Sequence, residues 1–307
     1  MTVVTIANRL PVRRGEDGWE LSPGGLVTAL RPVMATQDGA WVGWDGGTRG
    51  IPATLADLSI RLLPVGLSAV QIRQYYHGFS NATLWPLLHD AIEKPRFERA
   101  WWHSYQGVNA TFANAALTAL AEGSDALAWV HDYHLMLVPR LIRERRPDQP
   151  IGYFLHVPWP PPDIFARLPW RKEVLFGLLG ADVVSFHTEV YRRNFVRACG
   201  RLLADTGVQI HGPKITLPDR RVVSTTSAPI SIDAAAELRE AVPCNPFDVE
   251  GLSYKIEHAL GLPASTRRNA LTTMARRIRG HDVHQWVSRQ LADIESRGVS
   301  PVSAFSA

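Results

Sequence analysis

Two groups of polar side chains stand directly after apolar runs, where they could hold a substrate. The first is His131-Asp132-Tyr133-His134, which follows the apolar run 126–130. The second begins with His156, which follows the run 151–155 and precedes a proline-rich segment. Carboxylate and imidazole groups at such places can reach a ligand while the run behind them stays buried. Asp132 and His156 are therefore candidate site residues.

The apolar runs themselves predict two neighbouring strands of a parallel sheet. Each is about the length of a buried strand, and residues 135–146 between them predict a helix with a basic last turn. Strand, helix and strand form the unit from which parallel sheets are built. In open α/β sheets the ligand crevice lies beyond the carboxyl ends of the strands. We expect Asp132 and His156 to lie side by side in such a crevice.

Other roles for the histidines have to be weighed against this one. His131 and His134 have the spacing of two zinc ligands, but no third His, Cys or carboxylate stands at a recognisable distance, so we predict no metal site. His156 could instead be a hydrogen-bonded core residue, and the sequence leaves that alternative open.

An anion site is suggested near the amino terminus. Arg9 follows the strand-like residues 3–7, and Ser22-Pro23-Gly24-Gly25 opens an apolar stretch that could be a helix. Glycines at a helix start let backbone N–H groups approach an anion, and a guanidinium suits phosphate. The competing interpretation of Pro23-Gly24-Gly25 is an ordinary tight turn.

Aromatic residues with polar tips follow in the next segments. Trp44, Tyr76 and Trp85 lie in loop-like or mixed stretches. Sugar rings stack on aromatic faces while polar tips bind hydroxyls, so these residues could form a carbohydrate site. Each could also be a core aromatic, and the sequence does not separate the two.

Composition sets the broad class of protein. The chain has 307 residues, 46% of them hydrophobic, a net charge of +4 and a pI near 9.3. That length predicts about two domains, and the dispersed arginines indicate solvated helix faces rather than a nucleic-acid surface. The two cysteines show no paired spacing, and neither a signal-peptide pattern nor a long apolar run is present. We expect a cytoplasmic protein without membrane contact.

Six ordered motifs together resemble the trehalose-6-phosphate synthase family. The resemblance runs from residue 1 to about 233 and ends in Ala228-Pro229-Ile230-Ser231-Ile232-Asp233. The motifs are Asn8-Arg9-Leu10-Pro11, Ser22-Pro23-Gly24-Gly25-Leu26, Gly43-Trp44, Tyr75-Tyr76-x-x-Phe79-Ser80-Asn81-Ala82-Thr83-Leu84-Trp85-Pro86, His131-Asp132-Tyr133-His134-Leu135 and Phe154-Leu155-His156-Val157-Pro158.

The resemblance implies an α/β fold of the GT-B glycosyltransferase type, with two Rossmann-like domains. The activity it implies is transfer of glucose from a nucleotide sugar, such as UDP-glucose, to glucose 6-phosphate with retention at the anomeric carbon. No cofactor is implied. In such enzymes the departing diphosphate is expected to deprotonate the acceptor hydroxyl, so stabilisation of charge matters more than a protein nucleophile.

Site residues also follow from the resemblance. Glucose 6-phosphate would be bound by Arg9, Trp44, Tyr76, Trp85 and Asp132, with Arg9 on the phosphate. The donor would be contacted by Gly25 at its diphosphate and by His156 at the transferred glucose. Asp132 and His156 would be the residues next to the reacting atoms.

The sequence departs from the family after Asp233. The family's donor motifs, Arg-Leu-Asp-Tyr-x-Lys-Gly and Asp-Gly-Met-Asn-Leu-Val-x-x-Glu, do not occur, and residues 234–248 resemble a later family segment. This pattern predicts an acceptor domain over residues 1–233 and a helical remnant of the donor domain over 234–307. A last helix begins after Asp282 and places Val283, Trp286, Val287, Leu291 and Ile294 on one face. We expect it to pack back on the first domain.

Three functions remain open at this level. The chain could be a synthase with weak or absent activity, because loss of even one charge-stabilising group costs about 3 kcal/mol. It could be a noncatalytic sugar-phosphate-binding or regulatory partner of a complete synthase. It could also be a decayed product that exposes a formerly covered face. A homo-oligomer and pairing with a complete synthase are both compatible with the sequence.

Overall fold

The computed structural model describes residues 2–14, 19–21, 39–46, 61–121, 126–229, 240, 242, 249–280 and 283–298. The chain divides into two compact units. The first comprises Met1–Ala228 together with Ser288–Ala307, and the second comprises Pro229–Val287. Residues 288–298 of the last described helix therefore belong to the same unit as the amino-terminal strands.

Eleven strands lie in the described part of the first unit. In chain order they are β1 (Thr2–Arg9), β2 (Val12–Arg14), β3 (Trp19–Leu21), β4 (Ala40–Trp44), β5 (Arg61–Pro64), β6 (Ala126–His131), β7 (Ile151–Leu155), β8 (Val183–Phe186), β9 (Gln209–His211), β10 (Lys214–Thr216) and β11 (Val222–Ser227). The predicted strands at 3–7, 126–130 and 151–155 correspond to β1, β6 and β7.

Nine of these strands form one sheet in the order β5-β4-β1-β6-β7-β8-β11-β10-β9. All pairs from β5 to β11 are parallel, and β10 and β9 are added antiparallel at one edge. The chain runs from β1 to one side of the sheet and returns through β6 to the other side. The reversal between β1 and β6 is where α/β sheets form their ligand crevice.

Burial explains why these segments form strands. β4, β6, β7 and β8 are buried along their whole lengths, and β1 is buried except at its two ends. Continuous burial is typical of parallel strands that are covered on both faces. The apolar runs in the sequence therefore become the centre of the core, and only the residues after each strand reach the edge.

Helices connect and cover the strands. Those described in the first unit are Ala69–Gln71, Trp85–Leu88, Arg99–Leu120, Val138–Arg143, Pro162–Phe165, Arg171–Leu178 and Glu189–Leu202, with 3-10 turns at Tyr133–Leu135 and Ala204–Thr206. The helix predicted over 135–146 is shorter in the structure. Pro139 stands in its first turn, where the missing N–H has no helical partner to lose.

An unusual element precedes the long helix Arg99–Leu120. Residues Ile72–Leu84 form a π-helix, which begins after a capping box between Ser68 and Gln71. Phe79 lies on its buried side, with its ring 4.6 Å from Tyr105 and 5.3 Å from Trp102 of the long helix. π-helices are rare and concentrate at functional sites, and the sequence periodicity did not predict this one.

Beyond residue 248 every described element is a helix. The helices are Val249–Gly261, Ala264–Gly280 and Val283–Gly298. The last one has the predicted buried face, since Trp286, Val287, Leu291 and Ile294 are all at most 6% exposed. Ile294 lies directly against Gly152 of β7, so that a Cβ atom on this glycine would collide with the Ile294 side chain. Within the first unit, Ile294 of this helix thus packs on β7 of the sheet.

Candidate functional site

One edge of the sheet collects the predicted site residues. Because the strands are parallel, the carboxyl ends of β1, β4, β6, β7 and β8 meet there. Arg9 ends β1, Trp44 ends β4, Asp132 follows β6 and His156 follows β7. His187, which follows β8, joins them. The sequence prediction of a cleft at this edge agrees with the topology.

Arg9 lies over two aromatic rings. Its guanidinium carbon is 4.0 Å from the ring centre of Trp44 and 5.2 Å from that of Tyr76. The two rings meet edge to face at 5.6 Å. Trp44 is buried, whereas Arg9 is exposed. A guanidinium that lies over aromatic rings does not use its N–H groups in that contact. These groups therefore remain available to bind an anion.

The position of Tyr76 depends on His134. The two rings stack at 5.7 Å with 14° between their planes. His134 is only 8% exposed, and neither of its ring nitrogens has a hydrogen-bond partner among the described residues. Burial, and secondarily the charge of Arg9, lowers the pKa of His134 to about 3. The imidazole is therefore neutral and can stack on Tyr76 without repelling Arg9.

Trp85 differs from Trp44 in being exposed. Its side chain is 44% exposed, and its ring lies 3.8 Å from His89 and 5.8 Å from Tyr133. The hydroxyl of Tyr133 donates to Asn81 Oδ1 at 2.9 Å. A large accessible aromatic face beside the cleft is the kind of surface on which a sugar stacks.

Asp132 has a backbone conformation that side chains rarely adopt. Its φ is 71° and its ψ is 168°, a region that is essentially restricted to glycine. Its N–H donates to the carbonyl of Phe154 at 2.8 Å, and its Oδ1 accepts from the His156 N–H at 3.3 Å. Burial raises the pKa of Asp132 to about 6. Strain and a raised pKa in one residue are typical of a functional site.

The long helix Arg99–Leu120 holds the turn that follows Asp132. The Tyr105 hydroxyl donates to the Tyr133 carbonyl at 2.8 Å and accepts from the Met136 N–H at 3.0 Å. Asn109 donates to the His134 carbonyl at 3.0 Å and accepts from the Leu137 N–H at 3.1 Å. These buried bonds fix the turn and thereby compensate for the strained conformation.

Three imidazoles surround the end of β7. His131 Nδ1 and His156 Nε2 are 3.1 Å apart, and the rings of His156 and His187 meet edge to face at 5.7 Å. Burial lowers the pKa of His131 to about 3. Burial also lowers the pKa of His156, and the neighbouring imidazoles lower it further. These rings are neutral near pH 7, so they act as hydrogen-bonding groups rather than as cations.

The structure gives contacts that the sequence did not predict to four residues, His131, His134, His187 and Tyr75. Gly25 and the segment 22–30 lie outside the described residues, so the anion site suggested there stays a prediction. The sequence predicts for His131 and His134 only a place after a strand where a substrate could be held, without a metal, and their spacing gives no signal of stacking or of a His–His contact. His187 had been given no role. Tyr75, whose hydroxyl donates to Asn8 Oδ1 at 2.8 Å, was also unassigned.

The described ranges bear on metal binding and on membrane insertion. These residues contain no group of three or more His, Cys, Asp or Glu side chains arranged to hold a metal ion. Within the same part of the chain, no helix combines the length and apolar character needed to cross a bilayer.

Comparison with known families and sequences identifies relatives of this chain. The model of glycosyltransferase family 20 matches residues 2–236. The trehalose-6-phosphate synthase of Mycobacterium avium (strain 104) is 48% identical over 250 residues, which cover 76% of this chain and 50% of the relative. The chain thus spans about half the length of the curated relatives it matches.

Solved structures similar to this chain belong to the same kind of protein as the sequence relatives. A UDP-forming alpha,alpha-trehalose-phosphate synthase from Burkholderia vietnamiensis has a TM-score of 0.65 and 32% identity, covering 84% of this chain and 54% of its own. An E. coli structure bound with UDP-2-fluoro glucose has a TM-score of 0.64 and 28% identity, with coverages of 84% and 55%. A Burkholderia xenovorans synthase in complex with glucose-6-phosphate has a TM-score of 0.63 and 26% identity, and the match covers 78% of this chain and 52% of that structure's chain. The predicted α/β fold of the GT-B type is confirmed.

Proposed function

Because the chain belongs to glycosyltransferase family 20, we propose that it carries the acceptor side of a trehalose-6-phosphate synthase site and binds glucose 6-phosphate. The observation that carries this proposal is the seating of Arg9 over Trp44 and Tyr76 at the reversal point of the sheet. A Burkholderia xenovorans relative has been solved with glucose-6-phosphate, which supports the choice of ligand.

Arg9 is the residue proposed to bind the phosphate. It is exposed at the carboxyl end of β1, and its backbone is fixed because Trp41 Nε1 donates to the Arg9 carbonyl at 2.9 Å. The rings below hold the guanidinium in place before any ligand arrives. A preorganised guanidinium loses little conformational entropy when it binds a phosphate, and it can form two parallel hydrogen bonds.

The glucose part of the acceptor is proposed to lie between Trp85 and Asp132. Trp85 offers an exposed ring for stacking, and the Asp132 carboxylate is an acceptor for sugar hydroxyls. Tyr76 would contribute its hydroxyl next to Arg9. In this proposed arrangement the phosphate would lie near β1 and the reacting hydroxyl near β6, on the side where His156 follows β7.

Transfer itself requires a donor, proposed to be a nucleotide sugar such as UDP-glucose. His156 is proposed to contact the transferred glucose, and the E. coli relative was solved with UDP-2-fluoro glucose. The two donor motifs of the family are absent from the printed sequence. Losing a single charge-stabilising donor slows such reactions about a hundredfold or more. We therefore expect slow transfer, or none, by this chain alone.

A second function is favoured by that same absence. The chain could act as a noncatalytic sugar-phosphate-binding or regulatory partner of a complete synthase. It would then keep acceptor binding and have no turnover of its own. This second function also requires acceptor binding by Arg9. A binding measurement therefore cannot distinguish the two functions, whereas a measurement of catalysis can.

Calorimetry with glucose 6-phosphate and UDP-glucose, added separately and together, tests the proposal. We expect glucose 6-phosphate to bind, and Arg9→Ala to weaken its affinity tenfold or more, because a hydrogen bond to a charged group contributes about 1.5–3 kcal/mol. Arg140→Ala is the control, since Arg140 pairs with Glu144 on an exposed helix surface. Unchanged affinity in Arg9→Ala would contradict the proposal.

A coupled assay for released nucleotide diphosphate then distinguishes the two functions. Acceptor binding without diphosphate release identifies a sugar-phosphate-binding module. Release at a rate typical of enzymes, about 10 per second, would show that the missing motifs are dispensable.

A further inference from the structure

The contact between His131 and His156 joins a buried residue to a cleft residue. His131 is the last residue of β6 and is completely buried, whereas His156 follows β7 and is partly exposed. The strands are paired in parallel with His131 opposite Phe154, which brings the two imidazoles together. Their facing atoms, His131 Nδ1 and His156 Nε2, are 3.1 Å apart, within hydrogen-bond distance.

Two neutral imidazoles can share only one proton in such a bond. If His131 Nδ1 is the donor, His156 Nε2 is the acceptor and the proton of His156 must be on its Nδ1. If His156 Nε2 is the donor, the proton of His131 must instead be on its own Nε2. Both rings are neutral because burial lowers their pKa values. The position of one proton therefore determines the tautomers of both residues.

The second ring nitrogen of His131, Nε2, distinguishes the two possible directions of this hydrogen bond. His131 Nε2 is buried and has no hydrogen-bond partner in the part of the chain that the structure describes. With His156 as donor, this atom would carry a proton and become a buried N–H group without an acceptor. Orphaned buried N–H groups are rarer in proteins than underused acceptors, because a buried donor without an acceptor loses its bond to water and gains none in return. The arrangement with His131 as donor leaves only a lone pair there.

We infer that His131 is a positioning residue that holds His156 in the tautomer protonated on Nδ1. The Nε2 atom of His156 is then committed to accepting the His131 proton. A sugar at His156 would meet an N–H donor at Nδ1, so it would have to present an acceptor oxygen. The sugar contact rests on the proposed function, whereas the tautomer is a property of the protein alone.

The tautomer can be measured directly in the ligand-free protein. Long-range ¹H–¹⁵N correlation spectra of the ¹⁵N-labelled full chain at neutral pH distinguish the Nδ1–H from the Nε2–H form of each histidine. His156→Gln assigns the His156 signals by their disappearance. We expect the Nδ1–H pattern for His156 in the unmodified protein. An Nε2–H pattern would overturn the inference, whatever any variant does.

Two variants test whether His131 is the cause. His131→Asn keeps an N–H donor near the position of Nδ1, and we expect His156 to keep its Nδ1–H pattern. His131→Leu fills the site without a donor, and we expect that pattern to be lost. Retention of the pattern in a folded His131→Leu protein would also contradict the inference. If that variant does not fold, the unmodified protein and His131→Asn still decide the question.

Failure of the proposed function would look different. If neither glucose 6-phosphate nor UDP-glucose binds, the proposed function is wrong, while the tautomer measured without ligand is unaffected. If both bind and His156 shows the Nε2–H pattern, the proposed function stands and the role of His131 is wrong.

Discussion

The guanidinium of Arg9 occupies the space in which a side chain on Gly46 would have to lie. A Cβ atom on Gly46 would collide with Nη1 of Arg9, and the φ of Gly46 is 93°. The glycine thus permits both the local turn and the position of Arg9 over Trp44. Gly46, two positions after β4, therefore affects where the Arg9 side chain at the end of β1 can lie.

Gly46→Ala is expected to weaken glucose 6-phosphate binding about tenfold, equivalent to about 1.4 kcal/mol, because the methyl group displaces the guanidinium. Gly212→Ala is the matched control. Gly212 also has a left-handed φ, 61°, but a Cβ atom there would meet nothing within 4 Å. Both variants should lose comparable stability from backbone strain, and only Gly46→Ala should lose affinity in calorimetry. Equal affinities in the two variants would refute this role of Gly46.

Asp132→Gly is expected to raise stability while it abolishes acceptor binding. The backbone conformation of Asp132 costs about 1–3 kcal/mol for a residue with a side chain, and glycine adopts it freely. Asp132→Ala removes the same carboxylate but keeps the strain. Denaturant unfolding of the two variants should therefore show the glycine variant to be the more stable, by an amount in that range. If alanine is equally stable, the position is not strained.

Stability should depend on pH through Asp132. Its pKa in the folded protein is about 6, raised by burial above the ordinary value of 3.8. The folded state binds this proton more tightly than the unfolded chain does. Below about pH 4 the titration of Asp132 therefore does not change the free energy of unfolding. From pH 4 to 6 it lowers that free energy increasingly, and above pH 6 the full loss of stability is present.

Asp132→Asn removes this titration and tests it. Relative to the unmodified protein, the variant should gain stability as the pH rises from 4 to 7, by at most about 3 kcal/mol, since each pKa unit corresponds to about 1.4 kcal/mol and Asp132 keeps some contact with solvent. Unfolding of both proteins at several pH values measures the difference. A difference that does not change with pH would count against the raised pKa.

A buried ion pair lies at the amino ends of β7 and β8, opposite the carboxyl ends where the candidate site lies. Arg143 binds both carboxylate oxygens of Asp182 at 2.7 Å, and Asp182 Oδ2 also accepts from the Ile151 N–H at 2.8 Å. Both side chains are nearly buried, at 12% and 13% exposure. Breaking a buried pair leaves one charge uncompensated, which typically costs about 3–5 kcal/mol.

Asp182→Ala should therefore destabilise the protein by about 3–5 kcal/mol without altering the affinity for glucose 6-phosphate, which is proposed to bind at the other edge. Asp205→Ala is the comparison. The Lys172–Asp205 pair has the same 2.7 Å separation but is 40% and 71% exposed, and solvent screening leaves such surface pairs with little effect on stability. Thermal unfolding of both variants measures the contrast. Similar losses of stability would show that burial is not the deciding factor.

Strand positions were predictable because burial of both faces produces continuous apolar runs, as in β6 and β7. The proximity of Asp132 and His156 followed from the same argument, since residues after neighbouring parallel strands meet at one edge. The last helix was predictable from its buried face. In each case a local pattern was sufficient, because tertiary packing and periodicity agree.

Other features depend on contacts between distant segments, which no local pattern contains. The π-helix Ile72–Leu84 packs through Phe79 against Trp102 and Tyr105 of the following helix. The φ of Asp132 is imposed by hydrogen bonds from Tyr105 and Asn109 to the next turn. The stacking of His134 on Tyr76 likewise requires the folded sheet.

The packing of Ile294 on Gly152 has a consequence for how the protein is made. All strands of the sheet leave the ribosome before the helix that covers this part of β7 has been synthesised. Until then the glycine and its neighbours form an open apolar surface on an otherwise complete sheet. Contacts between residues so distant in sequence form slowly, because a long loop must be closed first. Chaperones would therefore have the longest opportunity to act on this face of the nascent chain.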